Sequence, residues 1–249
     1  MGRLDNRVAI VTGGAKGLGY AFCFALAKEG AKVVMAAHRL DEESQKAVKE
    51  IEAKGGFGVV VDVTDEKSTL QMAEETAKKF GRIDILVNNA AFYYGVGRKA
   101  FYEVTLEEWD RAMDVGVKGA WLCARAVFPY MKKQGKGKII NLSSEVAFSP
   151  TKGMINYVTS KAAVIGVTRV LAGELGQYNI CVNAVAPGYT DTPASWTIGN
   201  VAKFDVSTIP LGRVGKPEDV VGAVVFFASD DSDFVSGQTL LVNGARRVN

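Results

Sequence analysis

Histidine is nearly absent from this 249-residue sequence: His38 stands alone. A Ser-His-Asp hydrolase would have to use it, and no Gly-x-Ser-x-Gly elbow accompanies it. A catalytic zinc site built on several histidines is excluded outright. Cysteine is scarce as well. Cys23, Cys123 and Cys181 each sit in apolar surroundings and form no Cys-x-x-Cys pair. They read as small buried hydrophobes of a reducing compartment rather than as redox or metal ligands. No apolar run is long enough to span a bilayer, and Met1-Gly2-Arg3-Leu4-Asp5 has no signal core. Neither sign of charge dominates. A net charge of +3, scattered apart from Arg246-Arg247, leaves no footprint for nucleic acid or an anionic membrane. The Asn141-Leu142-Ser143 sequon closes an apolar strand-like run and reads as chance. These absences predict a cytoplasmic protein with no metal and with neither a nucleic-acid nor a membrane partner.

What is present is a soluble composition, 48% hydrophobic and 23% charged, with a strong alternation of patterns. Short β-branched runs are expected as strands at 7–12, 32–37, 58–61, 83–88, 138–142, 179–185 and 239–242. Several are apolar nearly throughout, as parallel strands covered on both faces are. Helical patterns fall between them near 17–29, 41–54, 66–80, 106–133, 157–176 and 217–229. In the third, Leu70, Ala73, Ala77 and Phe80 recur at three- and four-residue spacing and predict a buried stripe. Asp65 and Pro217 stand where helix starts belong. This order predicts an α/β fold, a doubly wound Rossmann-like parallel sheet in a single domain spanning 1–249. The stretch 187–216 has no clear pattern and is expected to be a substrate loop.

The first strand runs into Thr12-Gly13-Gly14-Ala15-Lys16-Gly17-Leu18-Gly19 and then an apolar helix. Glycines there let the backbone approach a pyrophosphate, which the helix N-terminus favours. No Lys-Ser/Thr pair follows, so a nucleoside-triphosphate loop is not supported. Gly13, Lys16, Gly17, Leu18 and Gly19 are therefore expected to bind a dinucleotide. The second strand ends Met35-Ala36-Ala37-His38-Arg39 and meets no carboxylate until Asp41. NAD sites usually carry an acid there, and NADP sites need positive charge. Lys16 and Arg39, with His38 beside them, favour NADP over NAD; the alternative is that both cations are simply solvated.

Tyr157-Val158-Thr159-Ser160-Lys161 opens a predicted helix and puts Tyr157 and Lys161 on one face. A free tyrosine, with a pKa near 10, is a poor acid–base catalyst. A nearby ammonium is expected to lower that value and let Tyr157 exchange a proton with a carbonyl or alcohol oxygen. Ser144 ends the fifth predicted strand, where its hydroxyl can hold the same oxygen.

On these motifs the chain resembles the short-chain dehydrogenase/reductases, the single-domain type with Tyr-x-x-x-Lys, from about Arg7 to Gly244. The matching pieces are the glycine turn, Asp62-Val63, Asn88-Asn89-Ala90-Ala91, Ser144, Tyr157 with Lys161, Asn183, and Pro187-Gly188-Tyr189-Thr190-Asp191-Thr192. The resemblance implies that Asp62, with Val63, contacts the adenine. Asn88, Asn89 and Ala90 would line the cofactor, and Tyr157 and Lys161 would bond the nicotinamide ribose. Pro187, Gly188, Thr190 and Thr192 would hold the carboxamide end. It implies hydride exchange between a nicotinamide and a carbonyl carbon, and a homotetramer built on helices like 106–133 and 157–176. Two positions depart from the pattern. Ala91 replaces a glycine. Gly116 replaces an asparagine whose backbone holds a water in a proton relay to the lysine; glycine keeps the carbonyl, at a helix cost of about 0.8–1.0 kcal/mol relative to alanine.

Phe92, Tyr93, Tyr94, Val146, Phe148, Tyr189, Trp196 and Phe204 are expected to line a substrate pocket. They suggest an apolar, aromatic or alicyclic ketone or secondary alcohol, although half of them could instead pack the loop or a subunit interface. A catalytically weak dinucleotide-binding sensor or scaffold is the alternative function, motivated by Gly116. The intact Ser144, Tyr157 and Lys161 weigh for the enzyme.

Overall fold

Val8-Ala9-Ile10-Val11-Thr12 is buried at every position, the pattern of a strand that must be covered on both faces. The computed structural model describes residues 2–93 and 97–248. Among these, seven strands form one parallel sheet: β1 (Val8–Thr12), β2 (Lys32–Ala37), β3 (Phe57–Val60), β4 (Ile85–Asn88), β5 (Gly137–Leu142), β6 (Ile180–Pro187) and β7 (Thr239–Val242). Their spatial order is β3-β2-β1-β4-β5-β6-β7. The chain leaves β1 towards β2 on one side and returns to β4 on the other. At that switch the connections diverge and leave a crevice beyond the strand ends.

The helices between are α1 (Gly17–Lys28), α2 (Glu42–Glu52), α3 (Glu66–Phe80), α4 (Leu106–Met113), α5 (Gly119–Gln134), α6 (Ile155–Leu175), the single turn α7 (Pro193–Trp196) and α8 (Pro217–Ala228). One face of the sheet packs against α1, α2 and α8 through Phe22, Leu26, Val48, Ile51 and Phe227. The other packs against α3 and α5 through Met72, Ala73, Val127 and Met131. None of the described helices is long and apolar enough to cross a membrane.

Two expectations are corrected. The helix expected over 106–133 is two helices joined by a π-helical turn at Asp114–Lys118, with buried Gly116 at its centre. The buried stripe of α3 is Thr69, Met72, Ala73 and Thr76, while Leu70 is 47% exposed. Ala77 and Phe80 only border the core; Thr69 and Thr76 are buried because their hydroxyls donate to Glu66 O and Met72 O, a saturation that a hydrophobic count overlooks. The 187–216 stretch carries turns at α7, Val201–Lys203 and Val206–Thr208, and is tied back by a bridge between Thr190 and Gly215.

Buried polar groups connect the layers. Asn88 Nδ2 donates to Asn141 Oδ1 at 2.9 Å and to Ala120 O at 3.1 Å, and Asn141 Nδ2 donates to Thr168 Oγ1 at 2.9 Å. Fully buried Asn141 is thus a structural strut, in line with reading its sequon as chance. Asn183 likewise serves the fold: its Nδ2 donates to Val235 O and its Oδ1 accepts from Gln238 N.

Candidate active site

A cavity of about 1330 Å³ opens over the C-terminal ends of the strands. The glycine turn forms one wall. Gly17 has φ +55°, which glycine adopts without strain. A Cβ on Gly19 would lie 2.1 Å from Gly13 O, so only glycine lets α1 start this close to the turn. Asn89 Nδ2 donates to Thr12 O at 3.0 Å and Gly13 O at 3.1 Å and holds the turn in shape. Lys16, the N-cap of α1, makes no side-chain cap bond. The open first-turn N–H groups and the helix dipole therefore suit a diphosphate at Gly17, Leu18 and Gly19.

Gly13, Lys16, His38, Asp62, Val63, Asn89 and Ala90 all line this cavity. Asp62 accepts from Thr64 N–H and hydroxyl at 2.8 Å each, and these bonds hold its carboxyl below the usual range. Arg39 is exposed at the end of β2 and does not line the wall. Lys16 Nζ pairs with Asp41 Oδ2 at 3.0 Å and Glu43 Oε2 at 2.9 Å.

The catalytic candidates converge at the far end. Ser144, Tyr157 and Lys161 line the same cavity, Ser144 from the end of β5 and the other two from the first two turns of α6. The Ser144 hydroxyl acts on the Tyr157 phenol in the direction that lowers its pKa, against the larger effect of burial. Ser144 Oγ also donates to Pro187 O at 3.5 Å. Lys161 is buried, and its Nζ donates to Leu142 O at 2.6 Å; Ser143 Oγ donates to Lys161 O at 2.8 Å. Both ends of the lysine are thus stitched to the end of β5.

The expected lowering of the tyrosine is not what this arrangement produces. Burial pushes the Tyr157 phenol above its ordinary range, and the neighbouring Tyr93 adds to that. The Lys161 ammonium is 5.8 Å from the ring centroid and is spent on a carbonyl. Burial in turn pushes Lys161 down to about 8. The chain on its own thus holds Tyr157 as a protonated acid.

The substrate side is lined by Phe92, Tyr93, Val146, Tyr189 and Phe204. Tyr93 packs on Tyr157 with centroids 5.0 Å apart, and burial pushes its phenol up to about 12. Tyr189 stacks on Phe204 at 4.2 Å, so these two rings pack the loop and wall the pocket at once. Phe148 and Trp196 do not line the cavity: Phe148 closes the turn Glu145–Phe148, and Trp196 is 61% exposed with its Nε1 donating to Asp191 Oδ1. Tyr94 lies outside the described residues.

Pro187, Gly188, Thr190 and Thr192 line the cavity, and a Cβ on Gly17 would lie 3.8 Å from Thr192 Cβ. The loop therefore reaches across to the glycine turn. Sequence reasoning missed Glu145 and Arg246, which also line the cavity. An acid placed directly after Ser144 in an apolar stretch was the available signal. Among the described residues no three His, Cys, Asp or Glu side chains group to hold a metal ion.

The donor set fits a nicotinamide dinucleotide, with open helix N–H groups for its diphosphate and the Ser144–Tyr157–Lys161 group at the other end. A family model described as "Enoyl-(Acyl carrier protein) reductase" matches residues 13–245. The chain belongs to the short-chain dehydrogenase/reductase family. It is a nicotinamide-dependent oxidoreductase of that family. Its relatives include the 3-oxoacyl-[acyl-carrier-protein] reductase of Thermotoga maritima, 42% identical over 97% of this chain and 98% of the relative. They also include a (2S)-[(R)-hydroxy(phenyl)methyl]succinyl-CoA dehydrogenase subunit of Thauera aromatica, 39% identical over 98% of this chain and 97% of that protein. The crystal structure of 3-ketoacyl-(acyl-carrier-protein) reductase from Brucella melitensis, complexed with NADH, superposes with a TM-score of 0.92 at 32% identity. It covers 98% of this chain and 100% of its own. The short-chain dehydrogenase/reductase framework therefore extends over essentially the whole chain.

Proposed function

We propose that this oxidoreductase interconverts a ketone and a secondary alcohol where Ser144 and Tyr157 meet, with NADP preferred over NAD and substrates that are apolar or cyclic around the carbonyl. The observation that carries this reading is the convergence of Ser144, Tyr157 and Lys161 at one end of a cavity whose other end is an uncapped helix N-terminus. The cofactor, when bound, supplies or accepts the hydride. Ser144 Oγ holds the substrate oxygen, and the Tyr157 hydroxyl gives it a proton in reduction or takes one in oxidation. Lys161, pushed down to about 8, is poised to pass a proton onward near neutral pH. Tyr93, Val146, Tyr189 and Phe204 supply the apolar wall. The relatives act, by their names, on 3-oxoacyl and on phenyl-bearing acyl thioesters, so an acyl thioester with an apolar chain belongs in the same substrate class.

The cofactor preference rests on charge. Asp41 is the first acid after β2, yet it caps α2: its Oδ1 accepts from Ser44 N and Oγ, and its Oδ2 accepts from Lys16. It is committed elsewhere and is not free for ribose hydroxyls. Among the described residues no ion pair involves Arg39, which leaves its guanidinium for a ribose phosphate; Lys16 can exchange its carboxylates for the same group. We further assign a homotetramer, a protein of cytoplasmic type acting on small molecules.

The test is oxidation of NADPH and NADH by purified protein against cyclic ketones, aryl ketones, a 3-oxoacyl thioester and a small sugar. Tyr157→Phe is expected to lose at least about 100-fold in turnover with cofactor affinity nearly unchanged. Unchanged turnover removes Tyr157 from the mechanism, and faster turnover of the sugar overturns the substrate class. Arg39→Ala should weaken NADPH more than NADH; equal effects overturn the NADP preference. Tight cofactor binding with no turnover of any ketone favours the sensor reading, and Gly116→Asn then tests the relay.

A further inference from the structure

Glu145 follows Ser144 directly, and its side chain is 3% exposed. Its Oε1 accepts from Arg246 Nη1 at 2.8 Å. Its Oε2 is buried without a hydrogen-bond partner among the described residues. It faces the backbone of Gly188, where a Cβ would lie 3.4 Å away. Arg246 is thus the one ion-pair partner recorded for this carboxylate among the described residues, and a buried charge with a single partner depends strongly on it. The same guanidinium reaches the substrate loop twice. Its Nε donates to Thr208 Oγ1 at 3.2 Å, and its carbon lies 5.0 Å from the centroid of Phe204. Phe204 in turn stacks on Tyr189, whose hydroxyl donates to Ser195 O at 3.4 Å. Glu145, Tyr189, Phe204 and Arg246 all line the cavity.

We propose that Glu145 and Arg246 are a positioning pair that seats the substrate loop against the catalytic turn, so that the C-terminal segment sets how firmly substrate is held. The buried carboxylate draws the guanidinium into the wall. Its remaining edge and its flat face then fix Thr208 and Phe204, and Phe204 carries Tyr189 with it. Neither residue touches the reacting atoms. The kinetic consequence rests on the ketone–alcohol reading above, but the tether can be read without turnover.

The experiment compares wild type with Arg246→Ala, Arg246→Lys, Glu145→Gln and the Arg246→Ala/Glu145→Gln double variant. Tryptic cleavage after Lys203, an exposed site within the loop, is timed on native protein and mapped by mass. Arg246→Ala is expected to speed that cleavage by about tenfold, through more frequent loop opening. With a substrate in hand, its KM should rise about tenfold while kcat stays within about threefold. Arg246→Lys keeps the charge opposite Glu145 but loses the flat face over Phe204, and should fall between. The double variant should match the worse single, because each residue acts through the other.

Unchanged cleavage after Lys203 in both Arg246→Ala and Glu145→Gln overturns the proposal, as do single effects that add in full. A KM change without a cleavage change overturns it in favour of direct substrate contact. A fall in Tm alone shows a merely structural pair and also overturns it. If Arg246→Ala does not fold, Arg246→Lys and Glu145→Gln decide by the same readouts. If wild type turns over no ketone, the activity reading fails while the cleavage series still judges the tether.

Discussion

Lys161 is a cation held where cations are costly. It is buried, its Nζ is satisfied by one backbone carbonyl, and burial pushes it from its ordinary 10.5 down to about 8. Between those values the unfolded chain binds a proton that the folded chain releases, so stability rises as pH climbs through that window. Below about pH 8 the cost is fully present, of the order of 3 kcal/mol. Lys161→Met is therefore expected to stabilise the cofactor-free protein at pH 7 by about 1–3 kcal/mol while abolishing turnover. The gain should shrink towards pH 10, where wild-type Lys161 is neutral in the fold. Thermal unfolding of both proteins at pH 7 and pH 10 checks this, and a Met variant less stable at pH 7 removes the argument. The same low-dielectric setting keeps Tyr157 protonated. The burial that raises the phenol outweighs what the Lys161 charge, 5.8 Å from the ring centroid, does to lower it.

At the scale of elements, the joint between α4 and α5 stands out. The π-helical turn at Asp114–Lys118 brings Asp114 and Val115 to the cavity wall, and Asp114 pairs with Lys118 across it at 2.8 Å. Such single π-turns are often found at functional sites. Gly116 is buried there, and a Cβ would meet Ser160 Cβ at 3.4 Å and Oγ at 3.5 Å, within ordinary contact. An alanine fits the space, and glycine in a helix costs about 0.8–1.0 kcal/mol relative to alanine. Gly116→Ala should therefore raise Tm by roughly 2–4 °C in a chain of this size. A fall in Tm would mean that the turn needs the freedom of glycine. By contrast, Gly19→Ala places a carbon 2.1 Å from Gly13 O; it should disrupt the start of α1 and weaken dinucleotide binding, read by cofactor titration.

For the molecule as a whole, the proposed homotetramer makes a prediction about mass and surface. Trp121 on α5 and Val170 on α6 are 46% and 60% exposed, large apolar groups on the two helices expected to meet other copies. Sedimentation equilibrium should give four times the 26.6 kDa chain. Val170→Glu should shift the distribution towards smaller species, because it places a charge where an apolar contact is expected. A wild-type monomer at all concentrations overturns the assignment.

The amino-acid sequence by itself determined the alternation of layers. Strand runs that are apolar on both faces can only be covered by helices on both sides, and the glycine turn, Ser144 and Tyr157/Lys161 are local patterns with local geometry. Their meeting in one cavity followed from the strand order, since ligand groups in such sheets gather where the order reverses. Other features were decided only in three dimensions. Leu70 faces solvent and Thr76 the core, an arrangement hydropathy misses because the Thr76 hydroxyl is satisfied by Met72 O within its own helix. The break at Gly116 needs the packing of α6 beside it. The rise of Tyr157 and the fall of Lys161 depend on burial and on which carbonyl the ammonium finds. Glu145 and Arg246 stand 101 residues apart, and no spacing rule links them. Long-range charge pairing is a property of the folded chain, because it depends on which surfaces the sheet brings together.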